Sequence, residues 1–202
     1  MQVVLLLLLS YLIGSIPFSY LVAKIATGVD IRYAGEGNVG ARNVWHVAGP
    51  IYGLIAGALD MLKGLSVFFL ASRWAGSEVV FYSAGGAVIL GHGFPLFLKG
   101  RGGKGISTAL GFLLELVPQA LVVGALLFAI AWLVTRNFNI SAGIGLGSIP
   151  FSAPLFGKPP SITVWIIALF LLLAFKKVWD RPHESRIREQ SGWFEPKGIV
   201  QR

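Results

Sequence analysis

A glycine-rich segment with three cations and a histidine lies between two strongly apolar stretches of this chain. It reads GHGFPLFLKGRGGKGISTA, from Gly91 to Ala109. Glycine lets backbone N–H groups approach an anion closely, and such loops with a lysine commonly bind phosphate. Here Gly102, Gly103 and Gly105 surround Lys104 just before a helix predicted to start at Ile106, where the helix dipole also favours phosphate. The segment therefore predicts a phosphate site, and the absence of the spacing GxxxxGK[ST] disfavours nucleotide hydrolysis.

A second polar segment precedes it in the chain. It reads DIRYAGEGNVGARN, from Asp30 to Asn43, and alternates glycine with acidic, basic and amide side chains. Asparagine both donates and accepts hydrogen bonds, so this segment is suited to a polyol or a phosphoryl oxygen. Taken alone, it is also compatible with a flexible solvated turn.

Two further groups of polar residues are of interest. Asp60 and Lys63 lie within an apolar run, at i and i+3, so they share a helix face and can pair. We interpret them as a structural ion pair, because a lone charge in a membrane is costly.

The C-terminal tail carries a further group of polar residues, namely His183, Arg186, Arg188 and Glu195. By themselves they indicate a basic helix beside anionic lipid.

Composition places these residues in a membrane protein. Of 202 residues, 55% are hydrophobic and only 13% are charged, against about 25% charged in an ordinary soluble domain. The net charge of +8 is attributed to positively charged cytoplasmic loops and anionic lipid rather than to nucleic acid. The lack of cysteine excludes disulfides and thiol nucleophiles. With three dispersed histidines, a zinc site built from protein ligands alone is not expected.

The elements that must position these residues are apolar helices. We predict a single all-α polytopic membrane domain over residues 1–202, with a cytoplasmic tail over residues 176–202 and about seven transmembrane helices, five being possible. The seven apolar runs are Val3–Ile25, Ile51–Trp74, Val79–Leu90, Ile106–Val117, Ala120–Val134, Ile140–Phe156 and Ile162–Phe175. A full span needs about 20 residues, so the third and fourth runs are interpreted as short spans or a re-entrant pair. The first run is taken as a retained helix that Gly14 and Pro17 interrupt, either as a packing kink or to open room for the next loop.

The cations predict the orientation. In the seven-span arrangement nearly all of them fall on one side, which the positive-inside rule makes cytoplasmic, leaving Met1 outside. Arg73 and Lys158 are the two basic residues on the other side. The N-terminus is therefore predicted to be external and the C-terminus cytoplasmic.

Together these motifs resemble those of the bacterial membrane acyl-phosphate:glycerol-3-phosphate acyltransferases. The family's first motif, R…GSGNxGATN…R, is similar to RYAGEGNVGARNVWH at Arg32–His46. Its second, GHxFPxFLxxxGGKG…T, matches Gly91–Thr108 almost completely, and DMLKG at Asp60–Gly64 also matches a family pattern. Its third, HRxNIxRL…E, is similar to HESRIREQSGWFE at His183–Glu195.

The resemblance implies transfer of a fatty acyl group from acyl phosphate to the 1-hydroxyl of glycerol 3-phosphate, giving lysophosphatidic acid and phosphate. It implies an enzyme of phospholipid biosynthesis, multi-pass in the bacterial inner membrane, without metal, cofactor or nucleic acid, and we expect a monomer. The alternatives are a relative that acylates another polyol phosphate, and a non-catalytic phosphate- or lipid-binding membrane protein.

Site residues are predicted from the motifs and the resemblance together. Lys104, with the backbone of Gly102 and Gly103, is expected to hold one phosphate. His92, Asn38 and His183 complete the predicted catalytic set. The predicted substrate-binding set comprises Arg32, Glu36, Gly37, Gly40, Arg42, Asn43, Gly102, Gly103, Gly105, Ser107, Thr108, Arg186 and Arg188. His92, His183 and the substrate's own phosphate remain alternatives for the general base.

The chain departs from the family pattern at several positions, four of which concern the predicted site. Glu36 replaces the family's serine, Arg42 its threonine, His46 its arginine and Arg186 its motif-three asparagine. A carboxylate beside a phosphate site would repel the substrate unless a cation neutralises it, and Arg42 is the predicted partner of Glu36.

Overall fold

The computed structural model describes residues 1–192, and these form nine α-helices joined by short loops. The helices are α1 (Gln2–Ser15), α2 (Phe18–Thr27), α3 (Ala41–Ala48), α4 (Pro50–Trp74), α5 (Glu78–Gly93), α6 (Ile106–Leu116), α7 (Pro118–Thr135), α8 (Phe138–Ser152) and α9 (Pro160–Ser191). Short 3₁₀ turns lie at Ile31–Tyr33, Leu96–Leu98 and Ala153–Phe156. The described chain contains no strand, which confirms the predicted all-α class.

Five helical segments of the described chain are long and apolar enough to cross a membrane. They are Gln2–Thr27, Pro50–Trp74, Glu78–Leu98, Pro118–Thr135 and Pro160–Ser191. The third apolar run is therefore longer than the short span that the sequence predicts. In contrast, α6 has only 11 residues, well below the length of about 20 that a straight span needs. The helix lengths fit the five-span alternative, and the orientation stays a prediction.

The described residues divide into two compact units. The first comprises Met1–Glu115 and the described residues from Leu173 onward, and the second comprises Leu116–Leu172. In the second unit, α7 packs on α8, where Gly124 and Gly145 face each other across a close helix contact. The motifs singled out above lie in the first unit as far as the structure describes them.

Within the first unit, α5 packs closely against α1. A side chain at Gly91 would collide with the backbone of Tyr11, and one at Gly14 would collide with the backbone of Val88. Glycine at these positions therefore allows two backbones to meet, which is a common device for packing helices in membranes.

Gly91→Ala is expected to destabilise the protein by about 1–3 kcal/mol, because the added methyl group forces α1 and α5 apart. The matched control is Gly86→Ala on the same helix, where an added Cβ meets no atom within 4 Å. Thermal unfolding in detergent should show a lower melting temperature for Gly91→Ala alone. Equal melting temperatures for the two variants would contradict this description of the contact.

Helix α9 differs from the sequence expectation. The sequence predicts that the last apolar run ends at Phe175 and that a polar tail with a basic helix follows from residue 176. Instead, one helix of 32 residues continues through that point to Ser191, with Pro182 inside it. The polar third motif is thus carried on the same helix as the last candidate span.

Candidate active site

A buried polar cluster lies where α2, α4, α5 and α6 come together. Its members are Ser19, Asp60, Lys63, His92 and Thr108, each no more than 7% exposed. Asp60 Oδ1 lies 2.8 Å from Lys63 Nζ, and Ser19 donates a hydrogen bond to Asp60 Oδ2 at 2.5 Å. The predicted Asp60–Lys63 ion pair is therefore present, and it belongs to a larger network.

His92 is held by this network through one ring nitrogen. Its Nδ1 lies 3.1 Å from Lys63 Nζ, 3.2 Å from Thr108 Oγ1 and 3.6 Å from Asp60 Oδ1. The other nitrogen, Nε2, lies next to Gly103, where a Cβ on that glycine would collide with it. Nδ1 thus fixes the ring, and Nε2 faces the glycine-rich loop. Thr108, predicted to bind substrate, instead contacts His92.

The break between α1 and α2 supplies the remaining partners of Lys63. Helix α1 ends at Ser15 and α2 begins at Phe18, because Pro17 has no N–H to donate and interrupts the hydrogen-bond ladder. Lys63 Nζ donates to the carbonyl oxygens of Gly14 and Ile16, at 3.1 and 2.9 Å. The break at Pro17 therefore does more than kink the helix, because it leaves two carbonyl oxygens that accept hydrogen bonds from the buried Lys63 ammonium group.

The glycine-rich loop folds back onto the end of α5. The N–H groups of Gly102 and Gly103 donate to the carbonyl oxygens of Gly93 and His92, each at 3.2 Å. This corrects the prediction that these two N–H groups cradle a phosphate, since both are used inside the protein. Both positions need glycine for another reason: an added Cβ would collide with the backbone of His92 at Gly102 and with that of Val39 at Gly103. The first N–H groups of α6, which begins at Ile106, have no partner within the helix.

Asn43 organises the first polar loop rather than facing a substrate. It is fully buried, and its amide nitrogen donates to the carbonyl oxygens of Ile31, Ala34 and Asn38 at 2.8–3.0 Å. Its Oδ1 accepts the Glu36 N–H at 2.7 Å. The predicted role of Asn43 in positioning a phosphoryl group is therefore replaced by a structural one, because its hydrogen-bonding groups are already engaged.

Glu36 is buried among cations. Its carboxylate lies 3.0 Å from Arg42 Nε, 3.3 Å from His46 Nε2 and 3.9 Å from an Arg188 guanidinium nitrogen. Asn38 also donates to it, at 3.3 Å. The expected neutralisation by Arg42 is present, and Arg188 adds to it from α9. Three of the departures from the family pattern thus contact one another in a single charge cluster.

Glu36→Gln is expected to lower the free energy of unfolding by about 1–3 kcal/mol, because Arg42 and Arg188 lose the charged acceptor that compensates their desolvation. Glu189→Gln is the control, since Glu189 is exposed on the same stretch of α9 as Arg188. The melting temperatures of the two variants in detergent report the loss of stability in each. A Glu36→Gln protein as stable as the control would show that the cluster contributes nothing to the fold.

Arg32 is paired inside its own loop. Its guanidinium group makes hydrogen bonds to both carboxylate oxygens of Asp30, the shortest 2.6 Å long, and packs against the ring of Tyr20. These hydrogen bonds hold the pKa of Asp30 below its usual value and raise the pKa of Arg32. Because the pKa of Asp30 is lowered in the folded state, the stability from this pair is present above the unfolded pKa of about 3.9 and is lost as the pH falls through the folded pKa.

The far end of α9 closes over both loops. His183 Nε2 lies 2.9 Å from the carbonyl oxygen of Arg32, and Ile187 packs against Gly37. Lys104 Nζ lies 3.0 and 3.1 Å from the two carboxylate oxygens of Glu184. Arg186, predicted to bind substrate, is exposed, while its neighbours Glu184 and Ile187 form the buried face of this turn. Glu195 lies outside the described residues.

The buried polar cluster around His92 lines a small cavity in the first unit. His92, Lys63 and Asp60 line one side, and Val39 of the first loop and Gly102 of the second line another. Gly14, Ile16, Pro17, Phe18, Ser19 and Pro95 complete the lining. In the part of the chain that the structure describes, no group of three or more His, Cys, Asp or Glu side chains is arranged to hold a metal ion.

The predicted residues fall into three groups. Those in or beside the converging loops are Glu36, Gly37, Asn38, Gly40, Arg42, His92, Gly102, Gly103, Lys104, Gly105, Ser107, Thr108, His183 and Arg188. Arg32 and Asn43 form hydrogen bonds within the first polar loop, and Arg186 is exposed. Four residues of these clusters are absent from the site predicted from sequence: Ser19, Asp60, Lys63 and Glu184. Intramembrane charge was a signal for Asp60 and Lys63, because such residues usually face a polar interior.

Comparisons with known proteins find relatives that match most of this chain. A family model described as glycerol-3-phosphate acyltransferase matches residues 4–185. A glycerol-3-phosphate acyltransferase of Desulforamulus reducens is 36% identical over 178 residues, which cover 88% of this chain and 86% of the relative. One from Desulforudis audaxviator is 40% identical over 176 residues, covering 87% and 88%.

Two solved structures are similar over nearly the whole chain. Both are crystal structures of PlsY (YgiH), an integral membrane glycerol 3-phosphate acyltransferase, one in a glycerol 3-phosphate form and one in a lysophosphatidic acid form. The TM-scores are 0.80 and 0.79 at 30% identity, and each match covers 95% of this chain and 94% of the other.

Proposed function

This chain belongs to the glycerol-3-phosphate acyltransferase family, and from that premise we propose that it transfers a fatty acyl group from acyl phosphate to the 1-hydroxyl of glycerol 3-phosphate. The products are lysophosphatidic acid and inorganic phosphate. The protein is a multi-pass membrane protein by its apolar helices and its relatives. We place it in the bacterial inner membrane as a monomer, with the polar loops and the end of α9 on the cytoplasmic side.

One observation carries this proposal: three motifs far apart in the sequence converge on one another. Gly103 of the second motif packs on Val39 of the first, and Lys104 pairs with Glu184 of the third. Arg188 of the third reaches Glu36 of the first. This convergence supports a catalytic site rather than three independent surface loops, because catalysis requires its groups to be held in one geometry.

Lys104 is proposed to bind a substrate phosphate. Its ammonium group is about one-fifth exposed and lies beside the start of α6, where unpaired N–H groups and the helix dipole favour an anion. Gly105 and Ser107 flank this terminus, and Ser107 adds a hydroxyl group. The phosphate contacts thus come from Lys104 and the first turn of α6 rather than from the N–H groups of Gly102 and Gly103.

His92 is proposed to act on the substrate through Nε2. Because its Nδ1 is held by Lys63 and Thr108, Nε2 is the ring nitrogen free to meet a substrate oxygen next to Gly103. Asp60 and Lys63 are proposed to act as positioning residues, since both contact the ring at Nδ1. Asn38 and His183 lie on the adjoining loop and helix, where they complete the proposed catalytic set.

The reaction requires no covalent intermediate with the protein. The acceptor hydroxyl oxygen attacks the acyl carbonyl carbon, the bond from that carbon to the phosphate oxygen breaks, and phosphate leaves. The hydroxyl proton passes to His92, His183 or the phosphate itself. Acyl phosphate is a mixed anhydride with a good leaving group, so positioning and charge stabilisation supply most of the rate.

The test is phosphate release by the purified full-length protein from palmitoyl phosphate, with and without glycerol 3-phosphate. Release that depends on glycerol 3-phosphate, with lysophosphatidic acid formed in equal amount, is the expected result. Release with other polyol phosphates only would indicate a different acceptor. A folded protein that binds palmitoyl phosphate but releases nothing with any acceptor would refute the enzymatic proposal.

A further inference from the structure

Lys104, the proposed phosphate ligand, already has an anionic partner in this chain. Its Nζ lies 3.0 Å from Oε1 and 3.1 Å from Oε2 of Glu184. Both carboxylate oxygens thus contact the same ammonium group. Glu184 is 7% exposed, and nothing in the proposed reaction uses this carboxylate.

A carboxylate and a phosphate compete for such a lysine. Both are oxyanions that accept charge-assisted hydrogen bonds, and an ammonium group is a point charge that serves either of them. A tethered carboxylate acts at an effective concentration of about millimolar, which is comparable with a dissolved substrate. A bound phosphate of charge near −2 is then able to exchange with Glu184, which carries one negative charge.

Helix α9 does not depend on this one pair to stay in place. His183 contacts the carbonyl oxygen of Arg32, Ile187 packs against Gly37, and Arg188 reaches Glu36. Glu184 can therefore change its rotamer and release Lys104 while the helix remains docked on the two loops.

We infer that Glu184 occupies the phosphate position on Lys104 in the empty site, so that glycerol 3-phosphate binds by displacing this carboxylate. This inference rests on the proposed function of Lys104. Glu184 is then a residue that sets substrate affinity, since binding must first break its ion pair. The same exchange in reverse favours departure of lysophosphatidic acid, which keeps the phosphate of glycerol 3-phosphate, because Glu184 returns to Lys104.

Glu184→Gln tests the inference in the purified full-length protein at saturating palmitoyl phosphate. The KM for glycerol 3-phosphate should fall about three- to tenfold, and inorganic phosphate should inhibit at a correspondingly lower concentration. Asp180→Asn is the matched control. It removes one negative charge a turn earlier on α9, where Asp180 pairs with Lys176, and its KM should not change.

Two further variants keep the result interpretable. Glu184→Asp retains the charge on a shorter side chain, so it should lower the KM in the same direction, and it serves if Glu184→Gln does not fold. In a Lys104→Ala background, Glu184→Gln should have no effect on the KM, because the two residues act on the same interaction.

An unchanged or raised KM in both Glu184 variants would overturn the inference and leave Glu184 as a structural link. Failure of the proposed function would differ, since the unmodified protein would then release no phosphate with any acceptor, and failure of the Lys104 assignment would leave the KM for glycerol 3-phosphate unaltered in Lys104→Ala. A KM raised by Lys104→Ala but not lowered by the Glu184 variants refutes this inference alone.

Discussion

Lys104→Ala is expected to reduce kcat/KM for glycerol 3-phosphate by about 100-fold or more, while the protein still folds. Lys104 is the partly exposed cation where the glycine-rich loop meets α6, so its loss removes a charge-assisted contact to phosphate that the helix terminus cannot replace. A loss of about 2.7 kcal/mol in transition-state binding corresponds to this factor. Steady-state kinetics with palmitoyl phosphate measure it.

Lys99→Gly is the control for Lys104→Ala. It removes the same charge from the same loop at an exposed position whose backbone φ of 53° suits glycine. The control should retain near-normal kcat/KM and stability. Near-normal turnover by Lys104→Ala would contradict the assignment of Lys104 as a phosphate ligand. Equal losses of kcat/KM in both variants would indicate that the loop attracts the anionic substrate by its overall positive charge.

Asp60→Asn is expected to destabilise the protein by about 3–5 kcal/mol, which is the typical cost of breaking a buried ion pair by removing one partner. Both side chains are about 2% exposed, so solvent cannot compensate Lys63. His92 loses its positioning at the same time. Melting temperature, folded yield and acyl transfer should all fall sharply, whereas Asp30→Asn, in a partly exposed pair, should change stability much less.

A double variant separates stability from catalysis at this pair. Asp60→Asn with Lys63→Met removes both charges from the buried cluster, and such replacements are often neutral in stability. The melting temperature should therefore recover toward that of the unmodified protein, but activity should not, because His92 Nδ1 has lost its ammonium partner. A recovery of activity along with stability would show that Asp60 and Lys63 serve the fold alone.

The sequence determined the class of this protein because the membrane imposes strong constraints on composition. Apolar runs of helical length, few charges and interruptions rich in glycine indicated a polytopic all-α protein, and the helices confirm it. The motif order was sufficient to place the family. The Asp60–Lys63 pair was also predictable, since residues at i and i+3 meet on any helix.

Local pattern was less informative about what each polar residue contacts. Asn43 was expected to face a phosphoryl group, but its amide ties together a loop whose carbonyl groups would otherwise be buried without partners. Gly102 and Gly103 were expected to expose their N–H groups, yet those groups donate to α5. Composition identifies which groups form hydrogen bonds, but the path of the loop decides with which partners.

The charge pairings of the site came only from the tertiary structure. Lys104 and Glu184 are 80 positions apart, and His183 and Arg32 are 151 positions apart. Such contacts have no local periodicity, because they depend on α9 continuing past the last apolar run and docking on two distant loops. The sequence alone determined that this is a polytopic membrane protein of the family, and it predicted that Lys104, His92 and a basic tail handle phosphate. The fold decided which carboxylate meets each cation, because burial leaves a charge stable only beside a partner.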